Sequence, residues 1–399
     1  MAQPNLNTFS PGSAYSGSTT SFPQLTKSNS IVVVGAGAFG GWTALHLLRQ
    51  GFKVTLVDAW GAGNSRSSSG DETRVIRSTY GANELYFDLN VRALELWKEN
   101  QITFGKKLFH NTGVLWFCYE NETPLVDDSI PFTKKHDMLY ERLTNVELQK
   151  RFPIVNTDSI HHTFFDSYGG YLKARESCTA VFEAFVKEGG NFIQAQASPG
   201  KIRNEKIENV LLSNGDTLTA DAFIFACGSW LGKLFPDVLG KIITCTKQEV
   251  YYFGVPSDHV LAFENFPAWV DVDGKNFYYG IAGNANRGFK IGVDIRGESF
   301  DPSHGDRSVN PDILAKAKAF IKYRFPLLKN TPLLESRVCP YENSPDGNFI
   351  FDLHPETDNL LFLGGGSGHG FKHGPALGEL ITNVISGKAK APALFSIKK

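Results

Sequence analysis

The 399-residue sequence has little excess charge of either sign and no long apolar run, and each shortage excludes a class of protein. Forty basic and forty-one acidic residues give a formal net charge of −1, so no overall field draws the chain to nucleic acid or to an anionic membrane. No apolar stretch approaches the roughly 18–20 residues of a membrane span, and the first thirty residues lack a signal peptide's basic start and apolar run. We therefore expect a cytoplasmic protein whose partner is a small molecule, not nucleic acid or a membrane.

Cysteine is also scarce, and the five present have no CxxC spacing. This scatter suits neither a zinc site nor a disulfide scaffold, so reduced thiols and the absence of a metal site are expected. Residues 1–29 are rich in Ser, Thr, Gly, Pro and Asn and nearly free of charge. Such a composition buries too little apolar surface to offset the entropy of ordering, which predicts a disordered or extended N-terminal tail.

After residue 30 the chain alternates between strand-like and helix-like segments. Residues 31–34 form a β-branched run, a glycine turn follows, a helical pattern continues to residue 48, and residues 53–57 form a second strand-like run. This order predicts a βαβ unit. Residues 360–363, the glycine loop 364–370 and residues 376–385 repeat the order strand, glycine loop, helix. The chain thus begins and ends with a turn that could bind a cofactor.

The first turn, GAGAFG at 35–40, matches the dinucleotide fingerprint. Gly35, Gly37 and Gly40 stand where a tight turn, close approach of the backbone to a pyrophosphate and close helix packing exclude a side chain. Asp58 follows at the end of the second strand, where a carboxylate can accept hydrogen bonds from ribose hydroxyls. A glycine turn that only packs is the alternative, but the strand–turn–helix context and Asp58 disfavour it. An acidic residue at 58 argues against NADP, which leaves NAD and FAD.

Six further motifs separate FAD from NAD. They are, in order, GDETRVIR (70–77), YYG (278–280), GFK (288–290), CPY (339–341), PDGNFI (345–350) and GSGHGFK (366–372). On these motifs the sequence from about residue 30 onward resembles the monomeric sarcosine oxidase family, with its N-methyltryptophan, pipecolate and fructosyl amino acid oxidases. The resemblance implies an α/β fold: a Rossmann-type FAD-binding domain with an α+β substrate domain built on an antiparallel sheet, as in sarcosine and D-amino acid oxidases.

The resemblance also implies covalent FAD. The cysteine that matches Cys339 bonds through sulfur to the 8-methyl carbon of the flavin ring in that family, an 8α-S-cysteinyl link. Taken without its neighbours, Cys339 would more often be an inert buried thiol. Its place in the CPY motif, just before the PDGNFI run, favours attachment.

Two catalytic roles follow from the same resemblance. Lys290 matches the lysine over the flavin whose positive charge favours electron transfer to oxygen, and Arg74 matches the arginine beside it. Thr73 is a candidate flavin neighbour. Lys290 lies in an apolar strand-like run, a poor place for an idle ammonium group.

Substrate binding is implied for a second set of residues. Arg77 and Lys372 match the pair that holds the substrate carboxylate, and a planar guanidinium fixes both the orientation and the position of such a group. An exposed helix or loop face is the alternative for Arg77. Tyr279 and Tyr341 complete the implied substrate-binding residues.

The C-terminal glycine loop is expected to face the flavin pyrimidine, where reduction builds negative charge. Gly366, Gly368, His369 and Lys372 are therefore candidate cofactor-binding residues. For His369, a structural histidine with satisfied hydrogen bonds is an equally good interpretation.

The match breaks at residue 294. Sarcosine oxidase has an active-site histidine four residues after the oxygen-activating lysine, and this chain has Asp294. An ionised aspartate would favour a cationic amine or a substrate with a second basic group, unless it pairs with Arg296 or Arg287. Ser68 and Ser69 replace the paired histidines of sarcosine oxidase. Family membership therefore does not identify sarcosine as the substrate.

The function that the resemblance implies is oxidation of a small amino acid or N-alkyl amino acid. A hydride equivalent passes from the carbon next to nitrogen to flavin N5, the imine hydrolyses, and O2 is reduced to H2O2. The alternatives are a dehydrogenase or demethylase with another electron acceptor, a fructosyl amino acid oxidase, and a non-catalytic flavin- or nucleotide-binding protein. The expected domains are 30–109, 170–243 and 342–399 for FAD, and 110–169 and 244–341 for the substrate. The family precedent is a monomer.

Overall fold

A computed structural model describes residues 16–255, 266–273 and 276–398. Its strands are β1 (Ser30–Val34), β2 (Lys53–Asp58), β3 (Thr73–Ile76), β4 (Phe109–His110), β5 (Val114–Cys118), β6 (Tyr140–Leu143), β7 (His162–Asp166), β8 (Gly170–Lys173), β9 (Asn191–Gln194), β10 (Ala197–Pro199), β11 (Ile202–Arg203), β12 (Lys206–Ile207), β13 (Val210–Leu212), β14 (Thr217–Leu218), β15 (Ala222–Phe225), β16 (Thr244–Phe253), β17 (Ala268–Val272), β18 (Phe277–Ile281), β19 (Phe289–Val293), β20 (Leu333–Asn343), β21 (Ile350–Leu353) and β22 (Leu360–Gly364). Its α-helices are α1 (Ala38–Arg49), α2 (Glu84–Thr103), α3 (Pro124–Asp127), α4 (Ile130–Lys135), α5 (Asn145–Arg151), α6 (Ala174–Lys187), α7 (Leu231–Leu234), α8 (Pro236–Leu239), α9 (Pro311–Arg324) and α10 (Gly374–Ile385).

A six-stranded sheet forms the first half of the core, in the order β21-β22-β15-β1-β2-β9. The pairs from β22 to β9 are parallel, and only the edge strand β21 is antiparallel. A parallel sheet is covered on both faces, which is why β1 is an unbroken apolar run instead of an alternating one. Helix α1 packs against α10 and α6 on one face. The expected Rossmann-type α/β domain is confirmed.

A second, eight-stranded sheet has the order β20-β16-β19-β18-β17-β5-β7-β6. Its pairs are antiparallel except β5 with β17, which are parallel. The expected antiparallel sheet is therefore present with one parallel pair. A separate three-stranded sheet has the order β3-β8-β4. Every strand of the six-stranded sheet lies within the segments expected for the FAD domain. Every strand of the eight-stranded sheet lies within those expected for the substrate domain, apart from the last two residues of β20. We therefore keep this division of the chain as a proposal.

The described part of the N-terminal segment, 16–29, runs along the C-terminal region. The backbone amide of Ser18 donates to Ala391 O at 2.7 Å, and that of Leu25 donates to Ile385 O at 2.9 Å. Phe22 stacks on Phe351 with ring centres 4.8 Å apart. These few apolar side chains dock a segment that is polar in average composition. Residues 1–15 lie outside the described residues. Within the described residues, no helix combines the length and apolarity needed to cross a membrane.

Candidate active site

A cavity of about 680 Å³ opens at the carboxyl edge of the six-stranded sheet and extends to the eight-stranded sheet. Its size falls within the range of ligand sites. Residues that follow β1, β2, β15 and β22 line one part, and residues from β17, β18 and β20 line the other. Twelve residues expected at the site line this cavity: Gly35, Gly37, Asp58, Arg74, Arg77, Tyr279, Asp294, Tyr341, Gly366, Gly368, His369 and Lys372. Gly40, Thr73, Lys290 and Cys339 do not line it.

The three glycines of the first turn differ in their surroundings. Gly35 has φ +108°, and a Cβ there would collide with the carbonyl of Ala226. A Cβ at Gly40 would collide with the carbonyl of Gly35, so Gly40 allows the helix to pack closely against the turn. Gly40 does not line the cavity. At Gly37, by contrast, a Cβ would have Ser69 Oγ as its nearest neighbour, at 3.5 Å. Gly37 thus leaves open space at the start of α1, where a helix N-terminus can bind a pyrophosphate; the amide of Ala38 at that terminus donates to Ser69 Oγ at 3.1 Å.

Asp58 closes the same turn from the end of β2. Its Oδ2 accepts from the amide of Ala36 at 2.8 Å, and its Oδ1 accepts from the amide of Trp60 at 2.8 Å. Burial raises the pKa of Asp58, while these amides lower it. Each carboxylate oxygen has a second lone pair, so the side chain can hold the turn and still accept a ribose hydroxyl.

Two cations, Arg77 and Lys372, flank the ring of Tyr80 in the same cavity. The guanidinium carbon of Arg77 lies 4.8 Å from the Tyr80 ring centre and 5.0 Å from that of Trp116, and Lys372 Nζ lies 5.2 Å from Tyr80. Within the described residues neither cation has a carboxylate partner, and both donate to backbone carbonyls, of Thr79 and His369 respectively.

The nearest carboxylates, Asp166 and Asp294, act on Arg77 through their charge without forming an ion pair with it. Burial lowers the pKa of Arg77, and burial together with Arg77 lowers the pKa of Lys372 well below its usual value. An anion in the cavity would relieve both effects, because an opposite charge nearby favours the charged form of each base.

Asp294 lies in the cavity wall just after β19. Its Oδ1 is buried and has no hydrogen-bond partner among the described residues. Neither arginine considered from sequence forms a side-chain ion pair with Asp294 among the described residues, since Arg287 contacts Glu72 and Glu335 and Arg296 donates to Asn343 Oδ1 at 2.7 Å, but the backbone of Arg296 does hydrogen-bond to Asp294. Burial raises the pKa of Asp294, against the lowering effect of Arg296 and Arg77.

Lys290 and Arg74 meet at a residue that did not stand out in the sequence, Asp71. Both side chains donate to Asp71 Oδ2, Lys290 also donates to Thr73 O at 2.7 Å, and Tyr252 OH donates to Asp71 Oδ1 at 2.6 Å. Burial would raise the pKa of Asp71, but Lys290 and Arg74 outweigh it and hold that pKa well below its usual range. Two cations thus share one buried carboxylate. The signal available in the sequence was the position of Asp71 inside the GDETRVIR motif.

Cys339 lies on β20 behind Arg74. Its sulfur is 4.0 Å from Arg74 Nη2, and the residue is 6% exposed. Burial and then Asp71 raise the pKa of Cys339, while Arg74 and Lys290 lower it. Arg74 therefore lies beside the thiol as well as at the cavity wall.

His369 has partners for both ring nitrogens. Nε2 lies 2.9 Å from Gly347 O and Nδ1 lies 3.3 Å from Tyr80 OH, and the ring stacks on Phe349. Burial lowers the pKa of His369 to about 3, so the ring is neutral at pH 7. The structural interpretation of this histidine is therefore well supported, although the ring also lines the cavity. Tyr80, which sequence reasoning missed, stands three residues after Arg77 in the same stretch.

The model of the FAD dependent oxidoreductase family, DAO, matches residues 30–384 of the chain. The protein belongs to this family. It is thus an FAD-dependent oxidoreductase of the kind that acts on CH–NH groups, and FAD is the dinucleotide that the choice between NAD and FAD had left open. The resemblance seen in the six motifs is confirmed.

Relatives of this DAO-family chain match it over most of its length. Monomeric sarcosine oxidase from Bacillus sp. (strain B-0618) is 30% identical over 92% of this chain and 95% of its own. Among solved structures, Amadoriase I, the fructosyl amine:oxygen oxidoreductase of Aspergillus fumigatus, superposes with a TM-score of 0.77 at 20% identity, covering 95% of this chain and 91% of its own. L-proline dehydrogenase from P. horikoshii superposes with a TM-score of 0.80 at 21% identity, covering 93% and 96%.

The site residues of this DAO-family protein fit FAD. Gly37 leaves space for a pyrophosphate, Asp58 retains free lone pairs for a ribose, and the cavity continues from these residues to the Arg77–Lys372 pair. A dinucleotide would occupy the first part and leave the two cations for a second ligand.

Proposed function

We propose that the protein is an FAD-dependent oxidase of a small amino acid or N-alkyl amino acid. The observation that carries this proposal is the pair Arg77 and Lys372, two cations without a carboxylate partner among the described residues, in the cavity that begins at the dinucleotide turn. A cavity with FAD at one end and these two cations at the other suits a substrate that carries a carboxylate.

In this proposal Arg77 and Lys372 hold the substrate carboxylate. The guanidinium lies against the rings of Tyr80 and Trp116, which restrict its movement, and a guanidinium held in place orients a carboxylate by paired hydrogen bonds. Holding the carboxylate fixes the neighbouring carbon, whose C–H bond must be oriented toward the oxidant for rapid reaction. Tyr279 and Tyr341 would close the sides of the pocket.

FAD, when bound, would accept a hydride equivalent from the carbon next to nitrogen and pass two electrons to O2, which yields H2O2, while water hydrolyses the imine. Gly35, Gly37, Gly40 and Asp58 would hold the adenosine and pyrophosphate. Gly366, Gly368, His369, Thr73 and Lys372 would contact the flavin, and Cys339 would hold it covalently by the 8α-S-cysteinyl link. We also propose that the protein acts as a cytoplasmic monomer.

Lys290 and Arg74 would supply positive charge near the flavin. Because the two share the carboxylate of Asp71, positive charge is in excess there while Lys290 keeps its proton, which burial opposes and Asp71 favours through their effects on the pKa of Lys290. Such a charge stabilises the negative charge that develops on oxygen as it is reduced. This supports an oxidase over a dehydrogenase, although one structural neighbour is named an L-proline dehydrogenase.

Asp294 would decide which amine is accepted. Asp294 lines the cavity at the position where the resemblance implies a histidine, and a carboxylate can bind either a second basic group or the hydroxyls of a fructosyl group. Fructosyl amino acid oxidation is therefore the second candidate, in keeping with the fructosyl amine oxidoreductase among the structural neighbours.

A peroxide assay tests the proposal. Purified protein is given sarcosine, N-methyl amino acids, proline, pipecolate, L-amino acids and fructosyl amino acids, with alkylamines that lack a carboxylate as the matched control. We expect peroxide from at least one carboxylate-bearing amine and none from the alkylamines. Turnover with an artificial electron acceptor but no peroxide in air would favour the dehydrogenase, and equal activity on alkylamines would contradict the role of Arg77 and Lys372.

A further inference from the structure

Glu342 is a buried carboxyl group that no step of the proposed reaction uses. The residue is 7% exposed and lines the cavity, and its Oε1 has no hydrogen-bond partner among the described residues. Leaving such a group unsatisfied costs free energy, and native proteins rarely do so unless a water or a ligand completes the site. The residue therefore points to a ligand.

Its position identifies the part of the ligand. A Cβ at Gly364, the last residue of β22, would collide with Glu342 Oε1, and a Cβ at Gly228 or Gly366 would come within 3.9 Å of Oε2. The strands β15 and β22 run parallel to β1, so their carboxyl ends share the sheet edge that carries Gly35. The carboxyl group thus lies at the edge where the dinucleotide is bound.

The strand that carries Glu342, β20, also carries the proposed attachment point of the flavin. Glu342 follows Cys339 by three residues on β20, and Cys339 is the proposed attachment point of the ring. A cofactor that extends from the glycine turn to Cys339 must cross the region between them. In FAD, the ribityl chain joins the pyrophosphate to the ring, and its hydroxyl groups both donate and accept hydrogen bonds.

The protein supplies no charged partner that would compete for this carboxyl group. No cation forms an ion pair with Glu342 in the part of the chain that the structure describes. Burial raises the pKa of Glu342 to about 7, and only the backbone amides of Gly365 and Gly366 oppose this effect. At neutral pH the carboxyl group can therefore accept a hydrogen bond or donate one, and a hydroxyl group can meet either need.

We propose that Glu342 is a further cofactor-binding residue, whose carboxyl group hydrogen-bonds to the ribityl hydroxyls of FAD. The proposal rests on the use of this cavity for FAD, which the family assigns. A purely structural role, in which the side chain holds the amides of the glycine loop, is the alternative to be tested.

The test measures binding, not activity. In the full-length chain carrying Cys339→Ala, which allows reversible binding, the dissociation constants of FAD and of ADP are measured by calorimetric titration for Glu342, Glu342→Gln and Glu342→Leu. ADP has the pyrophosphate but no ribityl chain. We expect Glu342→Leu to weaken FAD roughly 10- to 100-fold, with ADP changed less than about 3-fold and Glu342→Gln close to the parent for both. Glu335→Leu, on the same strand but outside the cavity wall, is the matched control.

Melting temperatures of the cofactor-free proteins separate the structural alternative. Because the amides of Gly365 and Gly366 are the only protein groups that oppose burial at Glu342, Glu342→Gln, which keeps an accepting oxygen, should not lower the melting temperature, and Glu342→Leu should lower it only slightly. A large drop, or failure of Glu342→Leu to fold, would overturn the proposal, as would equal losses of FAD and ADP affinity. If the Cys339→Ala protein with Glu342 intact binds ADP but not FAD, the assignment of FAD to this cavity is wrong. This result differs from a loss of FAD affinity that appears only when Glu342 is replaced.

Discussion

Lys290 Nζ donates to Asp71 Oδ2, and the two residues form a buried ion pair between strand β19 and a segment 219 residues earlier in the chain. Arg74 donates to the same oxygen, and Arg337 Nη1 lies 3.8 Å from Asp71 Oδ1 while it pairs more closely with Glu72, at 2.8 Å. Asp71 thus holds Lys290 and Arg74 in place next to Cys339, and the positive charge there depends on this arrangement and not on any one residue.

Replacing Lys290 by Met should slow reoxidation of the flavin by O2 much more than its anaerobic reduction by substrate. Removal of one preorganised charge next to a developing anion costs roughly 100-fold or more in rate. Stopped-flow absorbance measures the two half-reactions separately. Lys247→Met is the control, since Lys247 is also a buried lysine that contacts a glutamate, Glu298, at 3.5 Å. Equal slowing of both half-reactions by Lys290→Met would assign Lys290 another role.

Cys339 is expected to carry the flavin. Acid-precipitated wild-type protein should stay yellow, and Cys339→Ala should release its flavin into the supernatant, as measured by absorbance of both fractions. Cys118→Ala is the control, because Cys118 is also a buried thiol, 1% exposed, and its Sγ lies 3.6 Å from Trp116 O. Free flavin from acid-treated wild-type protein would refute covalent attachment.

Local patterns in the sequence were sufficient for the first βαβ unit, because a buried parallel strand and its glycine turn have a signature within a few residues, whereas the two-domain fold came from the family resemblance. Motif matches brought together twelve of the predicted site residues, since the motifs that carry Arg77, Tyr279 and Lys372 meet in one cavity. What local patterns could not give is which distant groups pair. Asp71 and Lys290 are far apart in sequence, and nothing near either residue specifies the other.

The burial of Glu342 and the docking of the segment 16–29, which was expected only to be disordered or extended, were not predicted for a related reason. An isolated glutamate at the end of a strand is usually solvated, and only the closeness of Gly228 and Gly364 shows that this one is buried. Average composition likewise hid Phe22 and Leu25, which dock their segment on the C-terminal region. The average composition of a segment does not show that one or two apolar side chains can hold it against the rest of the protein.

His46 should make the protein less stable in mild acid. Burial lowers the pKa of His46 to about 4, and its Nε2 has no partner among the described residues. As the pH falls below 6.5, the unfolded chain takes up a proton that the folded chain refuses until about pH 4, so the free energy of unfolding falls across this window. By pH 5 the loss from this group is on the order of 1 to 2 kcal/mol.

Urea denaturation at pH 7 and at pH 5 measures the effect of His46. The difference between the two pH values should be smaller for His46→Gln than for wild type, and unchanged for His304→Gln, whose histidine side chain is 87% exposed. An unchanged difference for His46→Gln would mean that the ring is not protected from protons in the folded state.

Lys372 should make carboxylate binding depend on pH. Because burial and Arg77 hold its pKa well below the usual value, Lys372 loses its proton in the free protein at a lower pH than an exposed lysine does. A bound carboxylate favours the charged form, so above that pH binding must take up a proton, and affinity for acetate should fall with rising pH by up to about tenfold per unit. Calorimetric titration in buffers of different ionisation enthalpy measures both the affinity and the proton uptake.

Two variants decide whether Lys372 is the group that takes up this proton. Lys372→Met should bind acetate more weakly at low pH and show no proton uptake, since the remaining cation, Arg77, does not exchange its proton in this range. Lys98→Met is the control, because Lys98 also lies against a tyrosine ring, at 5.8 Å from the centre of Tyr168, but does not line the cavity. Proton uptake that persists in Lys372→Met would assign the uptake to another residue. An affinity for acetate that rises with pH would contradict carboxylate binding by Arg77 and Lys372, because a neutral amine does not attract a carboxylate by charge.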